Sequence, residues 1–251
     1  TTRRGTNTFT GSVYGYYRDE GFIGRKADGK DIPPLTKSSS KTYGAKIGGP
    51  IIKNKLFFFV NAEKVTVDQP GVNWKATRPG VTPDANTSRT EAADLDRVSD
   101  YLLTKYGYAT GKYEGLGNFI TENKKMLARL DWNINNRHSA SFRYNYSKTD
   151  DDQLLNGTSA PNPRGSSNRW SQNSMSYENS NYANTNELTS YAFELKSNFS
   201  NKFSNQFLAT YTKANDTKRS SKSAIFPFVD IKQGGDNYIS AVYELVSFGN
   251  D

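Results

Sequence analysis

From Lys125 to Ile134, apolar side chains fall on every second position: Met126, Ala128, Leu130, Trp132 and Ile134 alternate with Lys125, Leu127, Arg129, Asp131 and Asn133. Only Leu127 breaks the pattern. A period of two sends successive side chains to opposite faces of a strand, so this segment has one apolar face. A polar turn at Asn135-Asn136-Arg137-His138 follows, and then Ala140, Phe142, Tyr144 and Tyr146 alternate with Ser139, Ser141, Arg143, Asn145 and Ser147. The pair reads as a β-hairpin. The arrangement recurs where Tyr191, Phe193, Leu195 and Phe199 lead into a turn at Ser200-Asn201-Lys202, and Phe203, Phe207, Ala209 and Tyr211 lead out. Upstream, Tyr43, Ala45, Ile47 and Ile51 precede a turn at Lys53-Asn54-Lys55 and the strand that starts at Leu56, and Phe9, Val13 and Tyr17 mark a first strand. Seven strands are thus expected, near 8–17, 42–52, 55–65, 124–134, 139–149, 188–199 and 203–213.

The connections between these strands alternate in length: long (18–41), short (53–55), long (66–123), short (135–138), long (150–187), short (200–202), then long again. Such alternation is expected where one end of a barrel has tight turns and the other has large loops. Strands of roughly ten residues match what a tilted membrane strand requires. In lipid, every backbone group must be paired within the sheet, so a strand series there closes into a barrel. The predicted fold is all-β: an antiparallel up-and-down transmembrane β-barrel segment with short periplasmic turns, long extracellular loops and one helix in the second long loop.

The aromatic residues sort by strand end. Trp132, Phe199 and Phe203 adjoin short turns, whereas Tyr17, Tyr146, Tyr191 and Tyr211 adjoin long loops, as two interfacial girdles would. The lipid-facing set is expected to include Leu130, Trp132, Phe142, Tyr144, Phe193, Leu195 and Phe207. The opposite faces carry Arg129, Asp131, Arg143, Asn145, Glu194 and Lys196, too polar for lipid and suited to a wet lumen. In the second long loop, Ser88-Arg89-Thr90-Glu91 has the form of a capping box, Ala92, Leu95, Val98, Leu102 and Tyr106 make an apolar stripe, and Gly107 is placed to end the helix. Such a stripe is ordinarily buried in its own loop; a lid over the pore is the functional alternative.

Composition narrows the chemistry. The 251 residues are 34% hydrophobic and include no Cys and one His, His138, and the mean hydropathy is −0.80. Thiol catalysis, disulfide scaffolds and nearly all zinc chemistry are thereby removed. The longest apolar run, Leu56 to Val60, is far short of the about 20 residues of a spanning helix. The net charge of +8 invites a polyanion partner, yet acids are interleaved throughout and the basic clusters are short, so no nucleic-acid partner is expected. Asp150-Asp151-Asp152 lacks the glycine and distal Glu of a calcium loop. The pairs Gly48-Gly49 and Gly234-Gly235 have no phosphate-loop spacing, and His138 has no Ser and Asp partners in view. No catalytic residue, metal site or cofactor is expected, and the chain does not read as an enzyme. Trp74, Trp170, Tyr177 and Tyr182 are the loop aromatics available to stack on a sugar or another flat ligand, or to hold the loops together. The start at Thr1 shows neither a charged n-region nor an apolar h-region, which is expected of a processed chain or a segment of a longer one.

Two segments carry a resemblance. Thr2-Arg3-Arg4-Gly5-Thr6-Asn7-Thr8-Phe9-Thr10-Gly11-Ser12 resembles the junction of plug and first barrel strand in TonB-dependent outer-membrane receptors of the Oar-like and SusC-like branch of Bacteroidetes. Tyr43-Gly44-Ala45-Lys46-Ile47-Gly48-Gly49-Pro50-Ile51-Ile52-Lys53-Asn54-Lys55-Leu56-Phe57-Phe58-Phe59 is similar to that branch's strand, Gly-Gly-Pro-Ile turn and following strand. Asp131-Trp132-Asn133, Arg137-His138, Phe142-Arg143-Tyr144 and Phe226-Pro227-Phe228-Val229-Asp230-Ile231 match further segments in the same order. The resemblance implies the N-terminal third of a receptor barrel of 22 strands, with residues 1–251 as a partial barrel and the plug and remaining strands outside this chain. It also implies a bacterial outer-membrane location, outer-membrane lipid and the TonB system as partners, a SusD-like surface lipoprotein as a further partner, and driven uptake of a glycan, peptide or iron chelate. The residues alone leave two other readings: a soluble or surface β-sandwich that binds carbohydrate, and a structural or adhesive outer-membrane barrel.

Overall fold

The computed structural model describes residues 3–31, 37–153, 169–220, 229–233 and 236–241. In chain order the strands are β1 (Thr10–Asp19), β2 (Lys26–Ala27), β3 (Lys30–Asp31), β4 (Ser39–Ile52), β5 (Leu56–Gln69), β6 (Lys75–Thr77), β7 (Thr87–Glu91), β8 (Phe119–Asn133), β9 (His138–Gln153), β10 (Met175–Ser176), β11 (Tyr182–Ser200), β12 (Phe203–Ser220), β13 (Val229–Gln233) and β14 (Asp236–Ala241). A helix, α1 (Ala92–Tyr106), lies between β7 and β8. The chain divides into two units, one of Thr1–Asp68, Ile120–Asp150 and Thr185–Asp216, the other of the intervening segments and the C-terminal stretch.

The first unit is built on a seven-stranded sheet in the order β1-β4-β5-β8-β9-β11-β12. Successive long strands are therefore neighbours, as in an up-and-down meander. β4 pairs antiparallel with β1 (Val13 opposite Ala45) and with β5 (Ala45 opposite Ala62). The β4–β5 register shifts between Pro50 and Ile52, and this irregularity accommodates a proline that has no N–H for the ladder. The strands extend further at their long-connection ends than the apolar alternation predicts: β11 runs 19 residues and β12 18, against the about 9–11 that cross a bilayer. The surplus is polar, so it leaves no hydrophobic period to read.

The second unit has its own core, in which Leu95, Leu102, Trp170, Met175, Tyr177 and Ile239 are buried. β10, β14 and β13 form a three-stranded sheet, and β6 and β7 a parallel pair. Two expectations for the helix need correction. Ser88 to Glu91 do not form a capping box: they lie in β7, the Ser88 hydroxyl donates to the Gln172 carbonyl at 3.2 Å, and Glu91 caps α1 without a side-chain bond. Strand pairing has taken the backbone conformation that a box at Ser88 would need. Tyr106 leaves the stripe and is 55% exposed, in an edge-to-face pair with Tyr101. Ala92, Leu95 and Leu102 are buried, and Gly107 ends the helix in the left-handed region at φ 65°, its N–H donating to the Leu103 carbonyl at 2.9 Å.

Candidate functional site

The two faces of the seven-stranded sheet have exchanged the exposure that water would impose. Leu130, Trp132, Phe142, Phe193, Phe203, Phe207 and Tyr211 are all exposed, between 40% and 62%. On the opposite face Asp131 and Ser141 are buried, and the side chains of Arg129 and Asp131 are only 15% and 13% exposed. Neighbouring apolar rings touch along the outer face, Tyr144 with Tyr191 at 5.2 Å, Phe193 with Phe207 at 6.4 Å and Phe199 with Phe203 at 5.4 Å. Tyr144, Tyr146 and Leu195 are half-buried.

The exposed apolar face has a definite height. On β8 it runs from Trp132 through Leu130 and Ala128 to Met126, after which Lys124 and Glu122 occupy the same parity. On β5, Phe58, Val60 and Ala62 give way to Lys64, and Lys64 and Lys124 both form ion pairs with Glu122. On β4, β9 and β12 the corresponding stops are Lys41, Lys148 and Lys213. With about 3.3 Å per residue the band spans roughly 20–26 Å along the strands, somewhat shorter than the about 9–11 residues with which a tilted strand crosses a bilayer.

The polar face gathers four of the six lumen candidates around one cleft of about 400 Å³, lined by Arg129, Asp131, Glu194 and Lys196. Arg129 and Asp131 sit two residues apart on β8, so they share a face and meet as a two-pronged pair, Nε to Oδ2 at 2.8 Å and Nη2 to Oδ1 at 2.6 Å. Glu194 accepts from Gln206 and, at 3.5 Å, from Ser141, and forms an ion pair with Lys196 at 3.3 Å. Arg143 and Asn145 are half-buried on β9 and do not line this cleft. Arg4, Asn7 and Phe57 do. Sequence reasoning passed over them because Arg4–Asn7 precede the first periodic strand and Phe57 sits in an unbroken Phe run without alternation. Asn7 is fixed by accepting from the Asn54 amide at 2.7 Å. Gly5 is buried, with a Cβ there only 3.0 Å from the Gly49 carbonyl oxygen, so a side chain would push this segment off the sheet. Further along the same face, Tyr14 reaches across Gly44 to donate to Glu63 at 2.7 Å.

The loop aromatics fall differently. Trp170 and Tyr177 are in the core of the second unit, 3% and 0% exposed, and Tyr177 donates to the Leu95 carbonyl at 2.5 Å. Of the two roles open to these rings, this burial fits holding the loops together. Trp74 packs half-buried against the same core. Tyr182 is half-buried and lines a cleft of about 130 Å³ with Phe119, Glu178 and Asn181. Burial raises the Tyr113 phenol to about 12, helped by its bond to Asp96, and pushes Tyr177 higher still. Desolvation works against the Glu114 carboxylate, but Arg78, held two-pronged at 2.7 and 3.0 Å, and the Ala76 amide bring its pKa below the ordinary value. Lys75 holds Asp84 down at about 2, with help from Thr87 and the Asn86 amide. These are the bonds of a braced loop structure. No group of three metal-ligating side chains occurs among the described residues. Gly234-Gly235 and Phe226–Phe228 lie outside the described residues.

The model of a family described as an outer membrane beta barrel domain matches residues 1–244. No curated protein and no solved structure matches the chain.

Proposed function

Because the chain belongs to the outer membrane β-barrel domain family and so to the bacterial outer membrane, we propose that its sheet is part of the wall of a TonB-dependent transporter. In this reading it imports a nutrient by driven transport, without chemistry on the substrate. The observation that carries the proposal is the inverted sheet: an exposed apolar band on one face, and charged, partly shielded side chains around a cleft on the other. A wall between lipid and a wet lumen needs that division. A carbohydrate-binding sandwich would bury the apolar band under a second sheet, whereas Leu130, Phe142, Phe193 and Phe207 are exposed.

Arg129, Asp131, Glu194 and Lys196 face the lumen in this proposal, and substrate passes over them and over the loop residues, Tyr182 among them. The resemblance in Arg3–Ser12 and Tyr43–Phe59 supports energy input through TonB, and a glycan, peptide or iron chelate as cargo. A SusD-like lipoprotein over the loops is part of the same analogy. The test is uptake by cells that lack the full-length protein, with labelled glycans, peptides and iron chelates offered in turn. Loss of accumulation of one class, reproduced by removing TonB, supports the transporter. Unchanged uptake of every class points to a structural or adhesive barrel, which the mutual pairing of the lumenal charges would also suit.

A further inference from the structure

The short-turn edge of the seven-stranded sheet carries cations and no anions. Lys53 and Lys55 occupy the β4–β5 turn, Arg137 the β8–β9 turn and Lys202 the β11–β12 turn, and no Asp or Glu occurs in residues 50–58, 132–141 or 197–205. The long-connection ends of the same strands carry both signs, with Asp19, Asp68, Asp150, Asp151, Glu187 and Asp216 beside Arg18, Lys41, Lys64, Lys124, Lys148 and Lys213. Cations therefore occur at both ends, and the short-turn end is distinguished by having no anion among its turn residues to neutralise them.

The edge is rigid and continuous. Lys55 N–H donates to the Ile52 carbonyl at 3.0 Å, and Asn54 holds the turn at φ 62°. The Asn135 side chain accepts from the amides of Arg137 and His138, at 2.8 and 2.9 Å, and Ser200 accepts from the Lys202 amide at 3.3 Å. The turns are also tied to their neighbours: Asn133 N–H donates to the Lys55 carbonyl at 2.7 Å, and Asn198 N–H to the Arg137 carbonyl at 2.8 Å. All four basic side chains are exposed, and none takes part in an ion pair among the described residues. Just inside them lie the exposed rings of Trp132, Phe199 and Phe203.

We propose that this edge binds the head groups of anionic glycerophospholipids in the leaflet it meets, with Lys53, Lys55, Arg137 and Lys202 on the phosphates. The adjoining rings would lie at the interfacial level, where aromatic side chains concentrate. Unpaired cations next to an interfacial aromatic girdle are complementary to a negative leaflet surface. A protein partner would need no such girdle beneath the charges. The inference rests on the membrane-spanning reading of the sheet, and it adds that the two ends of the barrel are chemically distinguished by lipid charge.

The test uses the full-length protein in phosphatidylcholine vesicles that contain a minor fraction of phosphatidylglycerol. Spin-labelled versions of each lipid report which is enriched around the protein. Wild type is expected to enrich phosphatidylglycerol, and the variant carrying Lys53→Ser, Lys55→Ser, Arg137→Ser and Lys202→Ser to lose at least about fivefold of that preference, the factor that roughly one membrane-adjacent cation supplies. Chloride and inorganic phosphate at matched ionic strength should weaken the preference equally. Retained enrichment in the variant, or selective displacement by inorganic phosphate, overturns the inference. Quenching of tryptophan fluorescence by brominated acyl chains separates the two levels. Protein that inserts without lipid preference contradicts this inference alone, and protein that never inserts contradicts the membrane reading as well.

Discussion

Phe193→Arg distinguishes a lipid-facing sheet from a water-facing one by the size of its effect. Phe193 is 40% exposed, midway along β11, and its ring partner among the described residues is Phe207 at 6.4 Å. If that exposure is to water, an arginine there forfeits little beyond the ring contact, about 0.5–1.5 kcal/mol. If the exposure is to hydrocarbon near the bilayer midplane, the charge adds about 2–4 kcal/mol, for a total of roughly 2.5–5.5 kcal/mol when the ring contact is included. The matched control is Ser204→Arg, an exposed position on the opposite parity of β12, where a change on a wet surface should stay within about 0.5 kcal/mol. Urea unfolding of the full-length protein in vesicles gives both values, and heat-modifiable mobility in isolated outer membranes reports assembly in cells. Phe193→Arg with unchanged assembly and a midpoint equal to that of Ser204→Arg would refute the lipid-face assignment.

Three further outcomes follow from the same geometry. Asp131→Asn leaves Arg129 shielded without its carboxylate and should cost about 3–5 kcal/mol in the urea titration, whereas Arg129→Met with Asp131→Leu should recover much of that loss. Leu95→Ala empties a fully buried position and should destabilise the second unit by about 2–5 kcal/mol; limited proteolysis between Gln69 and Phe119 should accelerate while the sheet stays intact. Tyr113 and Tyr177 favour their neutral form in the fold, so the stability they add is present below the ordinary phenol pKa of 10.0 and is lost as pH rises through about 12 for Tyr113. Absorbance at 295 nm should show Tyr113→Phe removing a late-ionising phenol, and a profile identical to wild type would contradict its burial.

What was legible in the sequence is what local repetition encodes. The alternation in Met126–Ile134 and Ala140–Tyr146 places β8 and β9, because a strand between lipid and water must change polarity at every residue. Gly107 marks the end of α1 because its left-handed backbone suits a residue without a Cβ. Ser88-Arg89-Thr90-Glu91 misled because β7 pairs with β6, and that pairing overrides a local cap motif. Trp170 and Tyr177 offered no local sign of burial, since their partners, Leu95 and Ile239, lie far away in the chain. Arg4 and Asn7 line the cleft, Asn7 held there by a contact with Asn54, 47 residues distant, and no periodicity announces it. The short-turn cations were visible as residues, yet their common edge emerges only when the strand order is known.

The central claim is that one face of β11 meets lipid and the other meets water. Residues 1–251 contain no cysteine, so in the full-length protein, with any cysteine outside them replaced by serine, single cysteines at 191 through 196 can carry spin labels one at a time. Collision with oxygen, which concentrates in hydrocarbon, should peak at 191, 193 and 195, and collision with a water-soluble nickel chelate at 194 and 196. Labels at 191, 193 and 195 shielded from both reagents would place the apolar face inside a protein core and contradict the account.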